Sequence, residues 1–163
     1  MGWKTLDQME LEGKRVLTRV DLNVPIKDEK ISDDTRIKKI IPTLSHIIKR
    51  GGLPILVAHL GRPNGQRNPN LSFAKISADI EKLVGLPLIF AADCIGTTAE
   101  LAVTSQKTGG VVLLENTRFH EGEEKNSISF AKSLAKLADI YCNDALSCAH
   151  RAHASTEAIA HLL

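Results

Sequence analysis

Apolar side chains fall along this chain in two alternating patterns. The run Lys14 to Val20, KRVLTRV, alternates β-branched or leucine side chains with polar ones, the period-two signature of a strand. Ile55 to Ala58, Leu88 to Ala91, Val111 to Leu114 and Ile140 to Cys142 are short continuous apolar runs, the form of strands covered on both faces. Between them apolar residues recur at helical spacing. Ile37, Ile40, Ile41, Leu44, Ile47 and Ile48 predict a helix from about Asp34 to Lys49. Ser32, Asp33 and Asp34 are its N-cap candidates, Lys49 and Arg50 followed by Gly51 and Gly52 close it, and Pro42 should kink it. Ser72 is placed to cap a helix carrying Phe73, Ile76, Ile80, Leu83 and Val84, ended by Gly85 and Pro87. Gly96 to Lys107 reads as a weaker helix, and about Ser127 to Ala138 as a helix with Phe130, Leu134 and Leu137 on one face. The stretch from about Ala149 to Leu163 also reads as helical, while KDEKISDD after the first strand reads as a loop.

Five short strands separated by helices, with no hairpin dipeptide between them, predict an α/β fold. The form expected is Rossmann-like: a parallel sheet with helices on both faces, three layers α/β/α, in one domain over residues 1–163.

In such a sheet the carboxyl ends of the strands share one edge, where ligands bind. The first strand delivers Asp21 and Asn23 there, one residue apart and so facing the same way. Pro25 then forces the chain to turn. Arg36 lies across that loop, His59 and Arg62 follow the second strand, Arg118 the fourth and Arg151 the fifth. Arg36 also sits in the first turn of its helix, where the macrodipole disfavours a cation by about 0.3–1 kcal/mol. An anionic ligand would explain that placement. Four guanidiniums with one carboxylate leave about +3, matching a small molecule with a phosphate of roughly −2 and a carboxylate. Asp21 and Asn23 would suit its hydroxyls.

Composition narrows the field. The chain has 163 residues, 43% of them hydrophobic, and a net charge of only +2, so neither nucleic acid nor membrane is implied as a partner. Cys94, Cys142 and Cys148 are odd in number and form no C-x-x-C pair, which fits a reducing, cytoplasmic setting. Cys148, His150 and His153 have a spacing that metal ligands can take, but no fourth ligand is evident, and local packing is the preferred reading. Glu121, Glu123 and Glu124 read as a solvated acidic loop rather than a metal site. Neither G-x-x-x-x-G-K-[ST] nor G-x-G-x-x-G occurs, so no nucleotide cradle is expected in this chain.

The segments RVDLNVP (Arg19 to Pro25), DDTRI (Asp33 to Ile37), HLGRP (His59 to Pro63), LLENTRFH (Leu113 to His120) and NDALSCAHRAHAS (Asn143 to Ser155) resemble, in order, the amino-terminal domain of the phosphoglycerate kinase family. The resemblance runs from about Leu11 to Ile159. It implies a two-domain, monomeric, cytoplasmic enzyme of glycolysis that transfers a phosphoryl group between ATP and 3-phosphoglycerate, giving ADP and 1,3-bisphosphoglycerate. It also implies that Asp21 and Asn23 hold the glycerate end, that His59, Arg62, Arg118 and Arg151 serve the phosphate side, and that Leu22, Leu60 and Gly61 take part in substrate binding. Arg36 would be catalytic, neutralising the carboxyl oxygens and the transferring group. Mg-ATP or Mg-ADP would bind the family's carboxyl-terminal domain, which is expected beyond Leu163, so that this chain alone would hold substrate without turnover. Ser147-Cys148 stands where the family usually has Gly-Thr, Ala58 where Ser is common and Thr117 where Leu is common. Two other readings remain: a stand-alone binding module for small phosphorylated acids, and a phosphatase of the haloacid dehalogenase type. The second is disfavoured because Asn23 cannot be the general acid that such chemistry needs.

Overall fold

A computed structural model describes residues 4–145 and 150–163. Strand β1 (Arg15–Arg19) is followed by a short hairpin, β2 (Ile26–Lys27) and β3 (Lys30–Ile31), and by helix α1 (Thr35–Lys49). Then come β4 (Leu53–Val57), α2 (Ser77–Val84), β5 (Leu88–Ala91), α3 (Gly96–Thr104) and β6 (Val111–Leu114). The short α4 (Glu121–Glu124), α5 (Ile128–Ala135) and β7 (Ile140–Asn143) complete the order. The five long strands form one parallel sheet in the order β5-β6-β4-β1-β7.

Alternation along the strands divides the core. Ile55, Val57, Val112 and Leu114 pack with Ala99 and Val103 of α3 and Phe130, Ala131 and Leu134 of α5. Leu56, Val111 and Leu113 face the other way, onto Ile37, Ile40 and Leu44 of α1 and Ile80 and Val84 of α2. The three layers thus follow from period two in the strands and 3.6 in the helices. No helix among the described residues is long and apolar enough to cross a membrane.

Four local expectations are corrected. The segment read as a loop contains the β2–β3 hairpin, turned by Asp28 and Glu29 at φ of 53° and 62°. Two left-handed residues in succession match the right-handed twist of a hairpin. Neither is glycine, so the usual dipeptide signal is missing.

Strand β4 begins at Leu53 and includes Pro54, although it lies between two other strands. Leu53 donates its N–H to Lys14 O on the β1 side, so the missing N–H of Pro54 falls on the β6 side, where pairing starts only at Ile55. The carbonyl of Pro54 accepts from the Gln106 side chain at 2.7 Å.

The acidic segment is helix α4, with Glu123 wholly buried. The terminal stretch is mainly turns with a 3-10 helix over Ala158–His161. Ala154 N–H is claimed from outside by Glu123 O and Ser155 N–H by the Glu123 carboxylate, while donors such as Thr156 and Ile159 bond within the stretch.

Helix ends follow their local chemistry. Asp33, rather than Asp34, supplies the oxygen at the start of α1, accepting from the N–H and hydroxyl of Thr35 at 2.9 and 2.6 Å. Ser127 caps α5 by accepting from Phe130 N–H, and Ser72 caps a 3-10 turn that precedes α2. Helix α1 runs unbroken through Pro42.

Because Ile55 is fully buried in β4 while Leu101 of α3 is 62% exposed, their truncations should differ sharply. Ile55→Ala should cost about 2–5 kcal/mol of unfolding free energy in urea titration, and Leu101→Ala no more than about 0.5 kcal/mol. Equal losses would contradict this packing.

Candidate functional site

Beyond the carboxyl ends of β1, β4 and β6, a cavity of about 230 Å³ is lined by Asp21, Asn23, Arg36, His59, Gly61, Arg62, Arg118 and Arg151. The loops that carry these residues are tied to one another. Asn23 N–H donates to Asp21 Oδ1 at 3.1 Å, and Asn23 Oδ1 accepts from Gly61 N–H at 2.9 Å, joining the loops after β1 and β4. Gly61 has φ +62°, and a Cβ there would lie 2.7 Å from Leu71 Cδ2, so no other residue fits that turn without rearrangement. Asn116, wholly buried after β6, donates to Leu60 O at 2.7 Å and accepts from Arg118 N–H at 3.1 Å. Thr117 N–H donates to Ala58 O at 3.1 Å, so two of the positions that depart from the family pattern meet in the buried layer under the cavity.

The cations are held largely by neutral partners. Arg118 Nη1 donates to Gly61 O at 3.1 Å, and Arg36 Nη1 donates to Asn23 O. Asp21 lies 3.4 Å from Arg36 Nε, which gives the first-turn cation of α1 a carboxylate within the chain. Glu124 approaches Arg118 Nε at 3.3 Å without hydrogen-bond geometry. Among the described residues no carboxylate pairs with Arg62 or Arg151, so the cavity keeps a positive balance. The side chains of Leu22 and Leu60 are buried in the core below, and their carbonyls are taken by Val24 N–H and the Asn116 amide. Neither residue lines the cavity.

Behind the cavity stands a group that the sequence reading did not single out. Arg19, at the end of β1, is 1% exposed and donates to Val20 O, Ser155 Oγ and His59 Nδ1 at 2.6, 3.0 and 2.7 Å. Ser155 donates its N–H and hydroxyl to the buried Glu123 carboxylate at 2.8 and 2.6 Å. An arginine two places after Leu17 in a strand covered on both faces was the available signal, because such a side chain must have buried partners. His59 is 5% exposed, and burial first, then the charges of Arg19, Arg118 and Arg151 and His153, pull its pKa down to about 3.

Asp93, Cys94 and His120 bring three potential metal-ligating atoms within 4.8 Å of one another. Their chemistry is already satisfied. His120 Nε2, the nitrogen that would ligate, is 2.8 Å from Asp93 Oδ1, and Arg67 lies 3.9 Å from the same carboxylate while stacking over Phe119. Burial raises the Cys94 pKa, which disfavours its thiolate. Of the other metal set weighed above, Cys148 lies outside the described residues, as does Ser147 beside it.

Comparison with known proteins gives the family and supports the fold. Residues 6–163 match the family model described as phosphoglycerate kinase. The chain belongs to the phosphoglycerate kinase family. A phosphoglycerate kinase of Ruegeria sp. (strain TM1040) is 55% identical over 163 residues, which are 100% of this chain and 41% of that protein. The solved phosphoglycerate kinase of Coxiella burnetii superposes with TM-score 0.81 at 35% identity, covering 95% of this chain and 38% of that one. That of Pyrococcus horikoshii OT3 gives 0.82 at 31% identity, covering 96% and 40%. The chain therefore spans about two fifths of the length of the phosphoglycerate kinases it matches, with the same parallel-sheet fold.

The depressed basicity of His59 sets a pH dependence. Below about pH 6.5 the unfolded chain protonates this imidazole, whereas the folded chain does so only near 3. Unfolding therefore takes up a proton in that window, and stability falls as pH drops. From pH 6.5 to 5 the loss assigned to His59 is about 2 kcal/mol, and burial of His153 acts with the same sign. Urea titrations should show this slope and a shallower one for His59→Gln. Identical slopes would contradict the burial of a neutral His59.

Proposed function

We propose that this chain is the amino-terminal, substrate-binding part of a phosphoglycerate kinase and that its cavity binds 3-phosphoglycerate. The observation that carries the reading is the gathering of four guanidiniums and one acid–amide pair in a single cavity at the carboxyl edge of a parallel sheet. Guanidinium forks bond phosphate and carboxylate oxygens in pairs, so Arg62, Arg118 and Arg151 suit the phosphate. His59 adds a donor beside them. Asp21 and Asn23 suit the hydroxyl, with Nδ2 of Asn23 able to donate because Oδ1 is taken by Gly61. Arg36, tied to Asp21 and to Asn23 O, stands on the glycerate side, where it would neutralise the carboxyl oxygens and act as the catalytic cation. Gly61 contributes backbone, and Leu22 and Leu60, buried below, support the loops that carry the lining residues.

The residues present do not fit a magnesium nucleotide. The lining offers one carboxylate, already beside Arg36, amid four guanidiniums that would repel a divalent cation. Mg-ATP or Mg-ADP would belong to the carboxyl-terminal domain of a complete, cytoplasmic, monomeric enzyme of glycolysis. There the phosphoryl group would pass between the nucleotide and the substrate carboxylate, with 1,3-bisphosphoglycerate as the phosphorylated partner. Domain closure would bring the two halves together and exclude water.

Isothermal titration of 3-phosphoglycerate into the 163-residue chain should show saturable one-to-one binding that weakens with salt. Arg62→Ala should weaken it about 10-fold to 100-fold, and Arg36→Ala with Arg62→Ala should abolish it. No binding by a demonstrably folded chain would overturn the reading. Phosphoryl transfer from ATP by the purified chain alone would overturn the assignment of the nucleotide to another domain.

A further inference from the structure

We propose that Glu123 is a positioning residue which, through Ser155 and Arg19, holds His59 in the Nε2–H tautomer, so that the imidazole donates a hydrogen bond to the bound anion. The donation rests on the reading of the cavity as a 3-phosphoglycerate site; the tautomer does not.

The direction of each bond follows from what each group can do. A guanidinium has five N–H donors and no acceptor. Arg19 Nη2 lies 2.7 Å from His59 Nδ1, so Nδ1 must offer its lone pair and the ring proton must sit on Nε2. An imidazolium would set one N–H against another at that distance. Arg19 is held in turn. Its Nε donates to Ser155 Oγ at 3.0 Å, and Ser155 Oγ is free to accept because its own proton is committed to Glu123 Oε2 at 2.6 Å. Glu123 Oε1 takes the N–H of Ser155 at 2.8 Å, which fixes the serine from a second side. Tyr141 donates its hydroxyl to Ser155 O at 2.8 Å, fixing it from a third.

Glu123, Ser155 and Arg19 are all at most 1% exposed. A buried guanidinium without a compensating carboxylate is strongly unfavourable, and Glu123 supplies that charge across one hydroxyl. The contacts therefore lead from carboxylate to hydroxyl to guanidinium to imidazole, with the guanidinium donating on both sides, and end at the wall of the cavity. Replacing Glu123 by glutamine puts an amide donor where the serine proton goes. Ser155 Oγ would then be asked to accept from two sides, and Arg19 would lose its fixed place.

The charged and titratable groups that face His59 are Arg19 from β1, Arg118 from the segment after β6, and Arg151 and His153 from the terminal segment. Arg36, Arg62 and Asp21 line the same cavity. Cations predominate, and they oppose protonation of the ring. A site built this way recognises its anion with a neutral donor beside permanent charges, so its histidine does not titrate in the range of about pH 5 to 8 where histidines usually do.

The test is 15N NMR of the His59 ring in the 163-residue chain without ligand, followed by titration with 3-phosphoglycerate. The expected result is a protonated Nε2 and an unprotonated Nδ1 throughout about pH 5 to 8. In Glu123→Gln and in Ser155→Ala the two tautomers should mix. Affinity for 3-phosphoglycerate should fall roughly tenfold in either, and no further in the double variant, because both break one chain of bonds. Ser155→Ala keeps the test available if Glu123→Gln does not fold. A proton on Nδ1 in the unmodified chain overturns the proposal, as do ring signals unchanged in Ser155→Ala. A correct tautomer without any binding of 3-phosphoglycerate overturns the anion reading and the donation with it, leaving only the positioning of the ring.

Discussion

A guanidinium buried inside a parallel sheet needs hydrogen-bond partners, and Arg19 finds three in separate parts of the chain, one of which leads on to a fourth part. Its own strand gives Val20 O, the loop after β4 gives His59, the terminal segment gives Ser155, and α4 stands behind Ser155 with Glu123. These elements are far apart in sequence and meet only at the carboxyl edge of β1. The polar chain that satisfies Arg19 therefore also fixes where His59 and the terminal segment stand around the cavity. It also shapes the last stretch, where Ala154 and Ser155 donate across the fold to Glu123 while the residues after them bond within short turns.

The same economy governs the cations of the cavity. Like charges gathered in one cavity repel, and pairing each with a carboxylate would leave nothing to attract an anion. Backbone carbonyls solve both problems, because they orient a guanidinium while leaving its formal charge intact. Asn23 O serves Arg36 and Gly61 O serves Arg118. Each carbonyl lies in a loop that another hydrogen bond braces, most clearly Gly61, whose N–H is held by Asn23. The cavity is thus oriented before any ligand arrives, which lowers the ordering cost of binding.

Much of this was legible in the sequence. Continuous apolar runs marked the buried strands, and polar residues placed just after them marked the edge, since a parallel sheet brings those positions together whatever the details. What stayed hidden depended on tertiary partners. The Asp28–Glu29 turn carries no glycine and so shows no hairpin signal. Glu123 looked like one of three solvated acids because only the fold separates it from Glu121 and Glu124. Arg19 was hidden by its position inside a strand pattern, where alternating polar residues are ordinarily taken to face solvent. The second strand was read from Ile55, and the place of Pro54 within β4 is tolerated because β6 begins pairing one residue later.

The central claim, that the carboxyl edge of this sheet is an anion site shaped for a small phosphorylated acid, is tested most directly by mapping backbone amide shifts of the chain as 3-phosphoglycerate is added. The account predicts that the largest changes fall together on Asp21, Asn23, Arg36, His59, Gly61, Arg62, Arg118 and Arg151. Changes centred on Asp93 and His120, or spread evenly over surface lysines, would contradict it.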